Sequence, residues 1–136
     1  MPQLAEQGQI IVAEDAGGAI MGAVAYMPPD SGPRADFFDP HWPIIRMLVV
    51  RPEARGQGIG RMLTERCIEF ARRDGAPLIA LHTSPAMGSA LKLYLAMGFV
   101  LRRPVSDRFG VPYGVYVLPL IDENSSACAG SVAGSR

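Results

Sequence analysis

The sequence predicts a mixed α/β sheet of the α+β kind, in which one helix crosses between neighbouring strands. Three observations carry this expectation. Apolar residues recur in short strand-like runs and two helix-like stripes, in the order β-β-β-α-β-α-β-β. Three glycines fall within five residues where the strongest strand run gives way to the first helix. A length of 136 residues suits one domain with one core.

Taken in order, Gln9–Glu14 and Ala19–Tyr26 read as strands joined by the turn Asp15-Ala16-Gly17-Gly18, a hairpin. Residues 27–43, rich in Pro, Asp, Phe and Trp, read as an ordered but irregular loop, long enough to suggest function. Ile44–Val50 is the strongest strand, ended by Pro52, which cannot donate to a ladder. A helix over about 59–73 follows, with Ile59, Leu63, Cys67 and Phe70 on one stripe and Gly75 as its cap. Pro77–Thr83 reads as a buried strand. Ser84 and Pro85 open a second helix over roughly 85–97, apolar almost all round and so expected to be covered by the sheet, a ligand or a partner chain. Gly98 stops it. Phe99–Arg102 and Tyr113–Leu118 supply the last strands, separated by a turn-rich linker. Residues 1–121 are expected to form the single domain. Beyond Asp122 the composition falls to Ser, Ala and Gly, so 122–136 is expected to be a disordered tail.

Composition narrows the function classes. Thirteen basic side chains balance thirteen acidic ones, so no field of one sign favours nucleic acid or an anionic membrane. The longest apolar run is far short of a membrane span, and the N-terminus lacks a basic segment with an apolar signal core. Two cysteines, Cys67 and Cys128, build no disulfide framework, and His41 and His82 stand alone, so no metal site is expected. The expectation is a reduced, cytoplasmic protein without nucleic-acid or membrane partners.

The chemistry concentrates at Arg55-Gly56-Gln57-Gly58-Ile59-Gly60. Glycines there let the backbone turn tightly and approach a ligand. The free N–H groups and positive dipole end of the helix that follows attract an anion. Arg55 and Arg61 add positive charge, so a phosphate or pyrophosphate is the expected ligand group. A P-loop would require Gly-Lys-Ser/Thr, but Gly60 precedes Arg61-Met62. A dinucleotide fingerprint beginning at Gly56 would need glycine at Arg61 and a strand abutting the loop, whereas Pro52–Arg55 intervenes.

Leu48-Val49-Val50-Arg51-Pro52-Glu53-Ala54-Arg55-Gly56-Gln57-Gly58-Ile59-Gly60 closely resembles the acyl-CoA-binding motif of the GNAT superfamily of N-acetyltransferases, Leu-x-Val-x-Pro-x-x-Arg-Gly-x-Gly-Ile-Gly. Ala90–Phe99 resembles the family's second signature, Ala-x-x-x-Tyr-x-x-x-Gly-Phe. The resemblance covers about residues 9–121. It implies a GNAT-like fold and acetyl-CoA as acyl donor to a primary amine of a small molecule or peptide, by direct attack and without a metal. It further implies that backbone groups of Leu48, Val49 and Val50 hold the pantetheine arm and that Arg55, Gly56, Gln57, Gly58, Ile59, Gly60 and Arg61 hold the pyrophosphate. Tyr94 would be the acid that protonates the leaving thiolate. A catalytically silent acyl-CoA-binding module is the alternative that the same resemblance allows.

Three departures from the family pattern stand out. The slot two residues before Leu48, where many members carry a glutamate base, holds Arg46, so the base is open among Asp36, Asp39, His41 and His82. His82 reads by default as a structural strand residue. Met87 replaces an asparagine that usually precedes the second motif. The family's first strand and first two helices have no recognisable counterpart, which leaves the acceptor wall to the loop Asp36–Trp42 or to a partner. With the apolar second helix, that favours a homodimer.

Overall fold

In the computed structural model, residues 3–7, 9–84, 89–106, 110 and 112–120 are described. Seven strands form one sheet in the order β1-β2-β3-β4-β5-β7-β6: β1 Gln3–Gln7, β2 Ile10–Glu14, β3 Ile20–Met27, β4 Ile44–Val50, β5 Leu78–Thr83, β6 Val100–Ser106 and β7 Pro112–Pro119. Every pair is antiparallel except β4 with β5, which are joined by the crossover helix α1, Ile59–Arg73. Helix α2, Ser89–Ala96, links β5 to β6. The expected tail beyond Asp122 and the expected start of the second helix at 85–88 lie outside the described residues.

The expected hairpin is present, with Asp15 Oδ1 accepting from the N–H groups of Gly17 and Ala19 at 2.9 Å each. Both glycine stops act as left-handed caps. Gly75 and Gly98 have φ of 74° and 104°, and the N–H groups of Ala76 and Phe99 reach back to the carbonyls of Ala71 and Tyr94 at 3.0 Å.

Two strand assignments differ from the sequence reading. Strand β1 was not expected, because Gln-Leu-Ala-Glu-Gln has weak strand propensity. Tertiary contacts hold it: the β2 ladder, Leu4 against the core, and an ion pair from Arg66 Nη1 on α1 to Glu6 Oε2 at 2.6 Å. Among the described residues no helix lies between β1 and β2. Strand β6 runs on through Pro104 to Ser106, beyond the expected stop at Arg102. As the outermost strand it tolerates a residue without an N–H.

The main core lies between the sheet and α1, around Ile11, Val24, Ile45, Leu63, Ile79, Leu81 and Phe99. On the other face, Ala80, Val115 and Val117 are covered by Phe37, Phe38 and Trp42 from the 28–43 loop. The expectation that α2 is covered nearly all round does not hold within the chain. Tyr94 is buried, Ala90, Leu91 and Leu93 are partly so, and Leu95 is half exposed. One side of α2 packs on the core, while Ala90 and Leu93 border an open cleft.

Candidate functional site

Strand β4 is fourth of seven, a position where both faces and both edges are normally occupied, yet Arg46, Met47 and Val49 are exposed. The cause is topological. Ile44 with Ala80 is the pairing between β4 and β5, and beyond it the two parallel strands part. On the other edge, the β3 register jumps from Ala25–Arg46 to Ala23–Val49, so Met47 and Leu48 together oppose Val24. This β-bulge puts Met47 at φ 58°, a left-handed conformation uncommon for a side chain of its size. The second half of β4 is thereby turned outwards, with backbone on its β5 side open to a ligand.

The chain then passes through a 3-10 turn at Pro52–Ala54, where Arg55 N–H reaches Pro52 O at 3.3 Å, into the glycine loop. The glycines serve two needs. Gly56 and Gly58 adopt φ of 83° and 79°, which an L side chain resists. Gly60 instead permits close packing: a Cβ there would stand 3.2 Å from Leu93 of α2. Gly58 occupies the N-cap of α1 without a side-chain cap, and no acid lies in the first turn. The opening N–H groups of α1 therefore meet neither a capping oxygen nor a negative side chain, which makes an anion site.

These parts border one cleft of about 450 Å³. Leu48, Val49 and Val50 form one wall, Arg55, Gly56, Gly58, Ile59, Gly60 and Arg61 its end, and Ser89, Ala90 and Leu93 the α2 side. The structure thus brings together all the cofactor-site residues expected from sequence except Gln57, which is exposed and does not line the cleft. Arg61 has its Nε engaged by Glu65 at 3.2 Å, so part of its charge is already met.

A second cavity, of about 300 Å³, begins where the first ends along β4: Ile44, Ile45, Arg46 and Met47 line it. Pro33, Arg34, Phe37 and Phe38 from the loop and His82 from β5 complete most of it. Arg34 shapes this loop. Its guanidinium donates to the carbonyls of Pro28, Ser31, Asp39 and Trp42, converting a proline-rich stretch into a fixed wall. Arg34 is not marked in the sequence, since nothing in one dimension shows four carbonyls converging. Nor is Gly22, where a Cβ would fall 2.9 Å from Val49 O and 3.1 Å from Ile59, under the start of α1.

The candidate bases separate by position. Asp36 and Asp39 are exposed, and Asp39 Oδ1 accepts from His41 N–H at 2.8 Å. His41 is exposed and its Nδ1 pairs with Asp30. None of these three lines either cavity. His82 does. Its ring stacks on Tyr113 and lies tilted against Phe37, and burial lowers its pKa. Tyr94, the expected acid, points into the core with 5% exposure, its ring 5.5 Å from that of Phe99, and it does not line the cleft. Burial raises its pKa, so the phenol stays protonated. Cys67 is a buried free thiol pushed up to about 12 by desolvation, and so is inert as a nucleophile at neutral pH. Among the described residues no group of three or more His, Cys, Asp or Glu is placed to hold a metal, and no helix is long and apolar enough to cross a membrane.

Known proteins resemble this chain in sequence and in fold. Residues 2–99 match the model of the acetyltransferase (GNAT) family. An uncharacterised N-acetyltransferase of Schizosaccharomyces pombe is 31% identical over 71% of this chain and 55% of its own length. N-acetyltransferase 8F1 of Rattus norvegicus is 37% identical over 68% of this chain and 39% of its own. The chain thus spans roughly half or less of the relatives it matches. In fold it is similar to a putative acetyltransferase of Salmonella typhimurium solved with its cofactor acetyl-CoA, at a TM-score of 0.64 and 24% identity, covering 83% of this chain and 65% of that one. On the family match across residues 2–99, this chain belongs to the GNAT family of acetyltransferases.

Proposed function

We propose that the chain transfers the acetyl group of acetyl-CoA to a primary amine of a small molecule or peptide by direct attack. The observation that carries this reading is the pair of cavities that adjoin on β4, one ending at Met47 and the other beginning at Leu48. The pyrophosphate sits at the N–H groups of the loop 55–60 and the first turn of α1. The pantetheine arm lies along Leu48–Val50 as an added strand, meeting the backbone edge that the departure of β5 leaves free. The thioester then reaches the bulge from one side and the amine from the other. A backbone N–H near the bulge receives the oxyanion, and Tyr94, by its place in the second motif, supplies the proton to the leaving thiolate. The high pKa of Cys67 supports direct attack over an acyl-cysteine intermediate. No metal takes part, and the cytoplasmic setting expected from sequence belongs to the same reading.

A second reading, a module that binds acyl-CoA without turnover, is favoured by Arg46 in the usual base slot and by the core position of the Tyr94 ring. One experiment separates them: release of free thiol from acetyl-CoA over a panel of phenethylamine, L-phenylalanine and an unblocked tripeptide. Amine-dependent release supports transfer. Saturable acetyl-CoA binding with no release on any acceptor supports the module.

A further inference from the structure

The geometry points to His82 as the acceptor-side base of this site, the group that takes the proton an incoming ammonium must lose before it can attack. The inference rests on the acetyl-transfer reading and fills the role that Arg46 leaves empty. Three observations place it there.

The first is register. Ile44 pairs with Ala80, and Arg46 and His82 each stand two residues further along these parallel strands. Side chains two apart on a strand share a face, so His82 occupies on β5 the level that the usual base slot occupies on β4. Both residues line the 300 Å³ cavity.

The second is an orphan atom. His82 Nε2 is closed to water from either side, the cavity included, and has no hydrogen-bond partner among the described residues. A buried polar atom without a partner is uncommon and costs about 1–3 kcal/mol. Packing alone does not call for it, since Phe at this position would pack against Tyr113 and Phe37 without the penalty. A rotation of the ring that turned Nε2 into the cavity the side chain lines would let the acceptor amine, or one water it brings, satisfy the atom.

The third is the electrostatic setting. Among the described residues, Arg34 of the loop and Arg46 of β4 line the cavity with His82, and Tyr113 of β7 stacks on its ring. No carboxylate is among the described residues that line the cavity with it. Burial of the ring lowers its pKa and so favours the neutral imidazole, the form a base requires.

The step balances. R–NH3+ gives one proton to the imidazole, and the free amine attacks the thioester carbon. The tetrahedral intermediate collapses by breaking the C–S bond. The thiolate takes a proton from Tyr94, which is replaced by the second proton of the substituted nitrogen. The imidazolium returns its proton to water, so amide, CoA thiol and one released proton are the products.

The test compares wild type with His82→Gln and His82→Phe, measuring thiol release across pH 5.5–9.5 and acetyl-CoA affinity by calorimetry. The expected result is unchanged acetyl-CoA affinity in both variants and a fall in kcat/KM of about 100-fold or more at neutral pH. The acid limb of the wild-type profile should be lost, and the rate recovered as pH rises and the acceptor amine deprotonates in bulk. Wild-type rates in either variant, or an equal loss at every pH with the acid limb unmoved, would overturn the assignment while leaving acetyl transfer standing. Wild type inactive on every amine in the panel would overturn both.

Discussion

Arg46 and His82 face one cavity from the two arms of a fork whose crotch is the backbone pair Ile44–Ala80. A sheet that parts after one parallel pair opens its centre to ligands from both faces. The residues just past the parting sit beside whatever reacts there. Arg46 takes part in no ion pair among the described residues, so its charge is available to an acceptor.

If Arg46 recognises an acceptor carboxylate, Arg46→Ala should lower kcat/KM for L-phenylalanine by about 10- to 100-fold, the worth of a charge-assisted hydrogen-bonded pair. Phenethylamine, which lacks the carboxylate, should be nearly unaffected. Steady-state kinetics on the two amines checks this, and an equal change on both would remove Arg46 from acceptor recognition.

Gly22→Ala should destabilise the fold by about 1–3 kcal/mol, because the added methyl falls 2.9 Å from Val49 O, a backbone atom that cannot swing aside. Since Ile59 is the next contact, the start of α1 should be displaced with it and acetyl-CoA affinity should fall. Urea unfolding and calorimetry together check the coupling. Lost stability with intact affinity would show that the anion site tolerates a shifted helix.

Tyr94→Phe preserves the packing against Phe99 and removes the phenolic proton. The expected outcome is a kcat at least tenfold lower with acetyl-CoA affinity unchanged, read by single-turnover thiol release. An unaltered kcat would assign Tyr94 to the core alone, in keeping with its burial.

The lowered pKa of His82 has a consequence for stability. In the folded chain the imidazole resists protonation, whereas in the unfolded chain it titrates near 6.5. Below that value the unfolded state binds more protons, so His82 makes stability decline as pH falls from about 6.5 towards the folded pKa. His82→Gln should therefore lose less stability than wild type between pH 7.5 and 5, as measured by urea midpoints at the two values. Identical pH dependence in both proteins would mean that the folded imidazole is not held neutral.

The cofactor half of the site was legible in sequence because its determinants are local. Positive φ at Gly56 and Gly58, the helix start at Ile59 and the strand before Pro52 are all fixed by neighbours within a dozen residues. The acceptor half was not, because it is made by convergence. Arg34 closes its loop through carbonyls up to eight residues away, and His82 meets Phe37 and Tyr113 from 45 positions before it and 31 after. Strand β1 was missed for the same reason, since Glu6 gains its partner Arg66 only once α1 is docked. Tyr94 shows the reverse: its motif marks a position clearly, while its surroundings are those of a core aromatic.

The account turns on acyl-CoA lying along β4 with its pyrophosphate at the start of α1. Titrating the labelled protein with acetyl-CoA while following backbone amide resonances tests this most directly. The largest shifts should fall at Leu48–Val50 and Arg55–Arg61, and Gly58→Val, which forces a β-branched residue to φ near 79°, should abolish them. Saturable shifts confined to other segments, or an unchanged response in Gly58→Val, would contradict the account.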